Sequence, residues 1–469
     1  MSETLLSERE KARHIMMTEQ PVQRLIVRLA VPTIVSMLIS AFYNMADTFF
    51  VAKLGTEATA AVGVNFSLMS YIQAIGLMFG TGASSNISRL LGAKKEEEAN
   101  RTAATAFFSS VSAGVLICVL GLLFISPLMR LLGATETVLP YSVSYASYIL
   151  FAAPFMAGSF VMNHTLRAEG SAMYSMIGML SGAVLNLALD PLLIFVFDMG
   201  IAGAAIATAI SQVVSFGILL SHFLRGKSLL RLRIRNWTFT GQTYWRIFRM
   251  GFPTLLRNGL MSTATAVMNN VAGGFGDAPL AAMAVTNRLM MFITSSLIGF
   301  GQGFQPVAGF NWGAKLYGRA RKAYGFVTVV GVVGMAVLCG ALALAAEPVM
   351  RLFSDDGEII SLGVLALRSQ CLLHPLIAVS IMVSMAYQAF GWAAGAALLS
   401  LARQGLCLIP AVFIMPALMG VTGVALTQAA ADVLAILITI PFAARSFYVL
   451  RQRMNETELA PPAQEEPAL

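Results

Sequence analysis

Twelve long apolar stretches dominate this chain: 25–51, 58–82, 99–124, 139–165, 171–197, 201–224, 246–272, 280–303, 320–346, 360–386, 395–418 and 421–446. A helix rises 1.5 Å per residue, so about twenty residues cross the roughly 30 Å hydrocarbon layer of a bilayer. Only helices and closed barrels satisfy all their backbone groups in lipid. Barrel strands are short and alternate in polarity, so these spans read as helices. Charge agrees with length. Only 12% of the residues are Asp, Glu, Lys or Arg, against about a quarter in a soluble domain. The fold class that follows is an all-α integral membrane protein.

The net charge of +8 invites a nucleic-acid partner, but its distribution orients a membrane protein instead. With the N-terminus inside, the cytoplasmic side receives Arg9, Lys11, Arg13, Arg24, Arg89, Lys94, Lys95, Arg167, Arg225, Lys227, Arg231, Arg233, Arg235, Lys315, Arg319, Arg451 and Arg453. The opposite side receives Lys53, Arg130 and Arg351. This asymmetry predicts cytoplasmic termini and a multi-pass protein of the plasma (inner) membrane. The first run is too long for the core of a cleavable signal peptide. The tail Asn455–Leu469 is acidic and contains prolines, a composition that reads as disordered. Cys118, Cys339, Cys371 and Cys407 all lie in apolar runs without a CxxC pair, and the four histidines are scattered. No disulfide, metal site or cofactor is expected.

Shifted by 221 residues, the sequence matches itself. Pro32-Thr33 falls on Pro253-Thr254, Phe79-Gly80 on Phe300-Gly301, Gly92-Ala93-Lys94 on Gly313-Ala314-Lys315, and Met129-Arg130-Leu131 on Met350-Arg351-Leu352. Pro154 falls on Pro375 and Gly170 on Gly391. One residue then drops out, and Gly200 and Gly203 fall on Gly420 and Gly423. The expected organisation is an N-terminal segment 1–24, an N-lobe 25–224, a cytoplasmic linker 225–245, a C-lobe 246–446 and a disordered tail 447–469. Six spans per copy give both lobes the same orientation, related by a pseudo-twofold along the membrane normal. Parallel repeats of this kind build transporters that rock about a central pathway.

Ionisable groups within spans are costly and call for a reason. Asp47 follows Asn44 by three residues and Asp190 follows Asn186 by four, so each carboxylate shares a helix face with an amide. Both pairs fall in the outer half of the bilayer. Two carboxylates brought together at low dielectric do not both ionise cheaply; one takes a proton, or a cation enters. The repeat places Met268 opposite Asp47 and Pro410 or Ala411 opposite Asp190, so only the first lobe is built for a cation. The second lobe carries Arg257, Arg288, Arg368 and Arg403 in or near its spans. No GxxxxGK[ST] phosphate loop is present, which leaves an ion gradient as the energy source.

The stretch Tyr43-Asn44-Met45-Ala46-Asp47-Thr48 with Gly55, the stretch Leu166-Arg167-Ala168-Glu169-Gly170, and Asn186-x3-Asp190-Pro191 resemble the multidrug and toxic compound extrusion (MATE) family, its DinF-like prokaryotic branch in particular. The resemblance runs from about residue 20 to 450. It implies a V-shaped pair of lobes and cation-coupled export of amphipathic, often cationic, compounds. It also implies a network of Asp47, Asn186, Asp190 and Thr208, with Tyr145 and Asn163 as further contributors. Span topology puts Thr208 in the same outer half as Asp190, but Asn163 near the cytoplasmic end of its span.

The expectation is therefore a secondary active antiporter, not an enzyme. It would exchange H+ or Na+ for small organic molecules, act as a monomer and have no nucleic-acid partner. The alternative within transport is a lipid-linked oligosaccharide flippase, relatives of which often carry fourteen spans. An intramembrane enzyme would need a convergent nucleophile and base, and a receptor would need a sizeable soluble domain; the sequence offers neither.

Overall fold

The computed structural model describes residues 3–459, and every regular element among them is helical. The order is α1 Glu3–Glu19, α2 Val22–Ala52, α3 Thr56–Gly92, α4 Glu96–Leu123, α5 Ile125–Leu131, α6 Leu139–Ala168, α7 Ala172–Pro191 and α8 Gly200–Leu224, then α9 Gly241–Gly273, α10 Asp277–Gly313, α11 Tyr317–Leu344, α12 Ala346–Arg351, α13 Gly357–Phe390, α14 Ala393–Leu401, α15 Ile409–Met419 and α16 Val421–Leu459. Short π-helical stretches, Leu192–Val196 and Ala402–Leu408, extend α7 and join α14 to α15. Among the described residues, eleven spans are long and apolar enough to cross a membrane, α14 and α15 together forming one of them. The twelfth expected span is α9. Its 33 residues are long enough, but Arg246, Arg249, Arg257, Asn258, Asn269 and Asn270 dilute its apolar character.

Packing repeats as the sequence does. Helix α2 lies against α10 and α7, and α9 correspondingly lies against α3 and α14. The pairs α3–α6, α4–α6 and α6–α8 recur as α10–α13, α11–α13 and α13–α16. Loop backbones repeat too: Lys94 and Lys315 have φ of 57° and 60°, and Gly170 and Gly391 have 86° and 87°. A positive φ of this size is left-handed backbone, which glycine enters without steric cost.

Helices in lipid gain little from burying apolar surface against each other, so close approach falls to small residues. A Cβ on Gly92 would run into the carbonyl of Phe310, and one on Gly313 into the carbonyl of Arg89. These contacts are reciprocal under the 221-residue shift. They bring the ends of α3 and α10 together at the end of the molecule that carries Lys94, Lys95 and Lys315, here termed the basic end. Along the same seam Thr33 Oγ1 donates to Gly299 O at 2.6 Å, and at the repeat-related crossing Thr81 Oγ1 bonds Thr254 Oγ1 at 3.3 Å.

The basic end is further tied by α1 and the inter-lobe segment. Arg13 donates from Nη1 to Gly170 O at 3.0 Å and from Nη2 to Ser171 Oγ at 3.1 Å. On the other lobe, Asn311 Nδ2 donates to Met17 O at 3.2 Å and Arg319 Nη2 to Gln20 O at 2.6 Å. Glu169 Oε2 accepts from Ser228 Oγ at 2.7 Å and from the Leu229 amide at 2.9 Å. Burial raises the Glu169 carboxyl above its ordinary range, opposed by Ser228, the Arg13 charge, Ser171 and the Leu229 amide. The inter-lobe segment then runs along α4, where Trp237 stacks on Phe108 with ring centres 5.6 Å apart.

The C-terminal end differs from expectation. Helix α16 continues unbroken through Leu459, so residues 447–459, taken from composition as disordered, are helical. Residues 460–469 of that segment lie outside the described residues. A proline-containing acidic stretch reads as disordered on average, but every proline in it falls after Leu459, and nothing before that point stops a helix already running.

The glycine seam predicts a selective effect on stability. Gly313→Val forces a side chain into the Arg89 carbonyl, and backbone cannot yield as a side-chain tip can. The purified protein should lose about 1–3 kcal/mol, seen as a lowered Tm. Gly334→Ala, where nothing lies within 4 Å of an added Cβ, should leave Tm unchanged or slightly raised.

Candidate ion-coupling site

The far end of the N-lobe, opposite the basic end, gathers polar side chains from four helices. Asp47 stands one turn before the end of α2, Tyr145 two turns into α6, Asn186 and Asp190 on the last turns of α7, and Thr208 on the third turn of α8. Pro191 follows Asp190 directly, and the π-helical Leu192–Val196 begins there. Ile194 of this stretch is buried, whereas Leu192, Phe195 and Val196 are exposed, and π segments often mark functional sites.

Asn186 organises the cluster. Its Nδ2 donates to Asp190 Oδ1 at 3.1 Å and to Thr208 Oγ1 at 3.4 Å. All three residues are buried, Asp190 completely. Asp47 and Asp190 face one another across α2 and α7, each acting on the other. Neither finds a full set of donors: Asp47 Oδ1, Asp190 Oδ2 and Asn186 Oδ1 are buried with no hydrogen-bond partner among the described residues. Three acceptor oxygens gathered in this way ask for a proton or a small cation, because uncompensated acceptors at low dielectric are costly.

The two halves of this chain match one family model, described as MatE, over residues 32–192 and 253–414. The chain belongs to the MatE family. The two matches begin at repeat-related positions, as the internal duplication requires. Among curated relatives, the multidrug export protein MepA of Staphylococcus saprophyticus is 27% identical over 92% of this chain and 94% of its own length. MepA from Staphylococcus aureus strain NCTC 8325 is 28% identical over 93% and 96%. Among solved structures, an outward-facing multidrug resistance MATE transporter of the MOP superfamily superposes with a TM-score of 0.88 at 26% identity, covering 93% of this chain and 98% of that one. As a MatE member with this architecture, the protein is a multi-pass membrane transporter with a two-lobe fold.

The packing of the helices separates the residues singled out from sequence into groups. Asp47, Asn186, Asp190 and Thr208 come together as expected, and Tyr145, wholly buried, adjoins Thr208 and both aspartates. The side chain of Asn44 lies outside the described residues. Asn163 stands elsewhere: its Nδ2 donates to Ser175 O at 3.2 Å, and its Oδ1 accepts from Arg167, whose guanidinium also reaches Gln302. That network is near the basic end, as the span topology of α6 requires, so Asn163 stands outside the ion cluster, bonded to Arg167. Tyr43 was missed. It lies one turn before Asp47 and faces both aspartates, and its i, i+4 spacing to Asp47 was the available signal.

The separation is testable. Asn163→Ala should lower thermal stability by about 1–3 kcal/mol through the deprived Arg167, while ion-driven transport per folded molecule in proteoliposomes stays near wild type. A selective loss of coupling with unchanged Tm would return Asn163 to the ion cluster.

Proposed function

We propose that the protein is a secondary active antiporter that exports small organic compounds in exchange for H+ or Na+. One observation carries this reading: Asp190 is fully buried beside the half-buried Asp47, and an oxygen of each is buried with no donor among the described residues. Like charges at such range and low dielectric resist joint ionisation, so the pair holds a proton or a cation and releases it when the surroundings change. A proton needs only the two carboxylates. Sodium would draw further oxygens from Asn186 and Thr208.

Alternating access supplies the change of surroundings. The lobes, 25–224 and 246–446, rock about the glycine seam at the basic end, which positive-inside asymmetry assigns to the cytoplasm together with both termini. The far-end cluster then faces outward. Multidrug exporters among the relatives support small amphipathic substrates and do not favour the flippase alternative. The reading requires no enzymatic step, cofactor or nucleic acid, and a single chain contains both lobes.

The coupling site is tested in proteoliposomes loaded with a fluorescent organic cation under separately imposed proton and sodium gradients. Asp47→Asn and Asp190→Asn should each remove most gradient-driven transport. The double variant should be little worse than either, because residues acting as one unit are not additive. Wild-type rates from both single variants would defeat the proposal.

Orientation has its own test. A single cysteine within Gly273–Pro279 should react with an impermeant maleimide on intact cells, and one within Lys94–Glu98 should react only after permeabilisation. The reverse pattern would invert the topology.

A further inference from the structure

The C-lobe holds a small, partly open cavity that the carboxylate pair does not line. It measures about 50 Å³, far below the roughly 300–1,000 Å³ of a pocket for a drug-sized ligand, so it takes an ion or one functional group. Its wall includes Arg257 of α9, Ser380 of α13, Ser400 of α14, Arg403 and Gln404 of the π-helical stretch, and Thr439 of α16.

Charge around the cavity does not balance. Arg403 Nε pairs with Asp432 Oδ1 at 3.4 Å, and Gln428 Nε2 donates to the same oxygen at 3.1 Å. Asp432 is 1% exposed, and this pair cancels. Arg257 has no ion-pair partner among the described residues, and the charged neighbour acting on it is Arg403. His374, which also faces Arg403 from α13, bonds Thr294 Oγ1 through Nε2 at 3.1 Å and contributes no negative charge. Two guanidiniums against one carboxylate leave one positive charge at mid-span.

An unpaired arginine at that depth costs a few kcal/mol or more, and a planar guanidinium is the side chain best suited to carboxylate and phosphate geometry. The hydroxyls complete the chemistry. Thr439 Oγ1 donates to Ala435 O at 2.8 Å and accepts from Ser380 Oγ at 2.8 Å, so the Ser380 proton is the one that can turn toward an arriving acceptor. The repeat-related residue to Arg257 is Ser36, which donates to Pro32 O at 2.8 Å. The positive charge of Arg257 therefore belongs to the C-lobe alone, and it faces a π segment that widens the backbone where Arg403 and Gln404 emerge.

We propose that this cavity is an anion site: it binds a free inorganic anion, or the carboxylate, sulfonate or phosphate group of a compound in transit, with Arg257 as the principal contact. The N-lobe then handles cations and the C-lobe anionic groups, which extends the compounds accepted to zwitterions and organic acids.

The purified full chain in detergent is titrated calorimetrically with chloride, inorganic phosphate and benzenesulfonate, with tetraethylammonium as the cation control. At least one anion should bind, and Arg257→Gln should weaken it about tenfold or more, with Arg257→Lys recovering part of the loss. Tightest binding by chloride or phosphate identifies a free anion as the occupant; tightest binding by benzenesulfonate identifies a substrate group. Gln404→Glu places a tethered carboxylate in the cavity. It should abolish anion binding while leaving Tm at or above wild type, and it decides the matter should Arg257→Gln not fold. Asp47→Asn should bind the anion as wild type does even where it has lost coupled transport, so failure of the coupling site is separable from failure of this one. No binding of any of the three anions to wild type, or equal binding by wild type, Arg257→Gln and Gln404→Glu, overturns the proposal.

Discussion

Backbone amides and carbonyls inside hydrocarbon have no water to turn to, so each must be paired within its own helix. The rest of this structure follows from that demand. It makes the membrane-spanning elements helical, and it removes burial of apolar surface as the force that joins one helix to another. What remains is shape. Gly92 and Gly313 let the ends of α3 and α10 come into backbone contact, and each contact is the image of the other under the repeat. Both membrane-spanning π segments, Leu192–Val196 and Ala402–Leu408, adjoin or carry ionisable groups.

Two copies of one scaffold have thus acquired opposite electrostatics. In the N-lobe, Asp47 and Asp190 crowd acceptors around Asn186. In the C-lobe, the same architecture surrounds Arg257 and Arg403, with Asp432 neutralising one of them. Few substitutions suffice for such a divergence, because a single charge at low dielectric outweighs many apolar contacts. Helix positions are held by the glycine seam and repeated pairings, which leaves the polar interior of each lobe free to specialise.

The basic end shows how a membrane protein uses ordinary aqueous chemistry where it meets water. Arg13, Asn311 and Arg319 attach α1 to both lobes, and Glu169 fastens the inter-lobe segment. The Leu166–Gly170 stretch seen in the sequence thereby gains a physical purpose. Arg167 braces α6 toward α10, Glu169 holds Ser228 and Leu229, and Gly170 supplies the left-handed turn beside Arg13 and Met17. Opening the molecule at this end would require these bonds to exchange for water, each at a modest net cost of about 1 kcal/mol.

The spans, the duplication and the pairing of Asp47 with Asp190 could be read from residue order, because hydrophobic length, repeat offset and one-turn spacing are local properties. So could the membership of Asn186 and Thr208, given the family resemblance. Other features were not accessible in that way. The polar character of α9 gives way to its packing between α3 and α14. Asn163 belongs with Arg167 at the basic end, because depth along α6 decides its neighbours. Tyr43 joins the aspartates only once α2 is set against α7, and the continuation of α16 past residue 447 overrides a composition that reads as disordered. The balance of charge around Arg257 is the clearest case. Sequence shows four second-lobe arginines alike, and only the folded lobe gives Asp432 to Arg403 and leaves Arg257 facing a cavity. Electrostatic pairing depends on distances between helices far apart in the chain, and those distances exist only after the helices have packed.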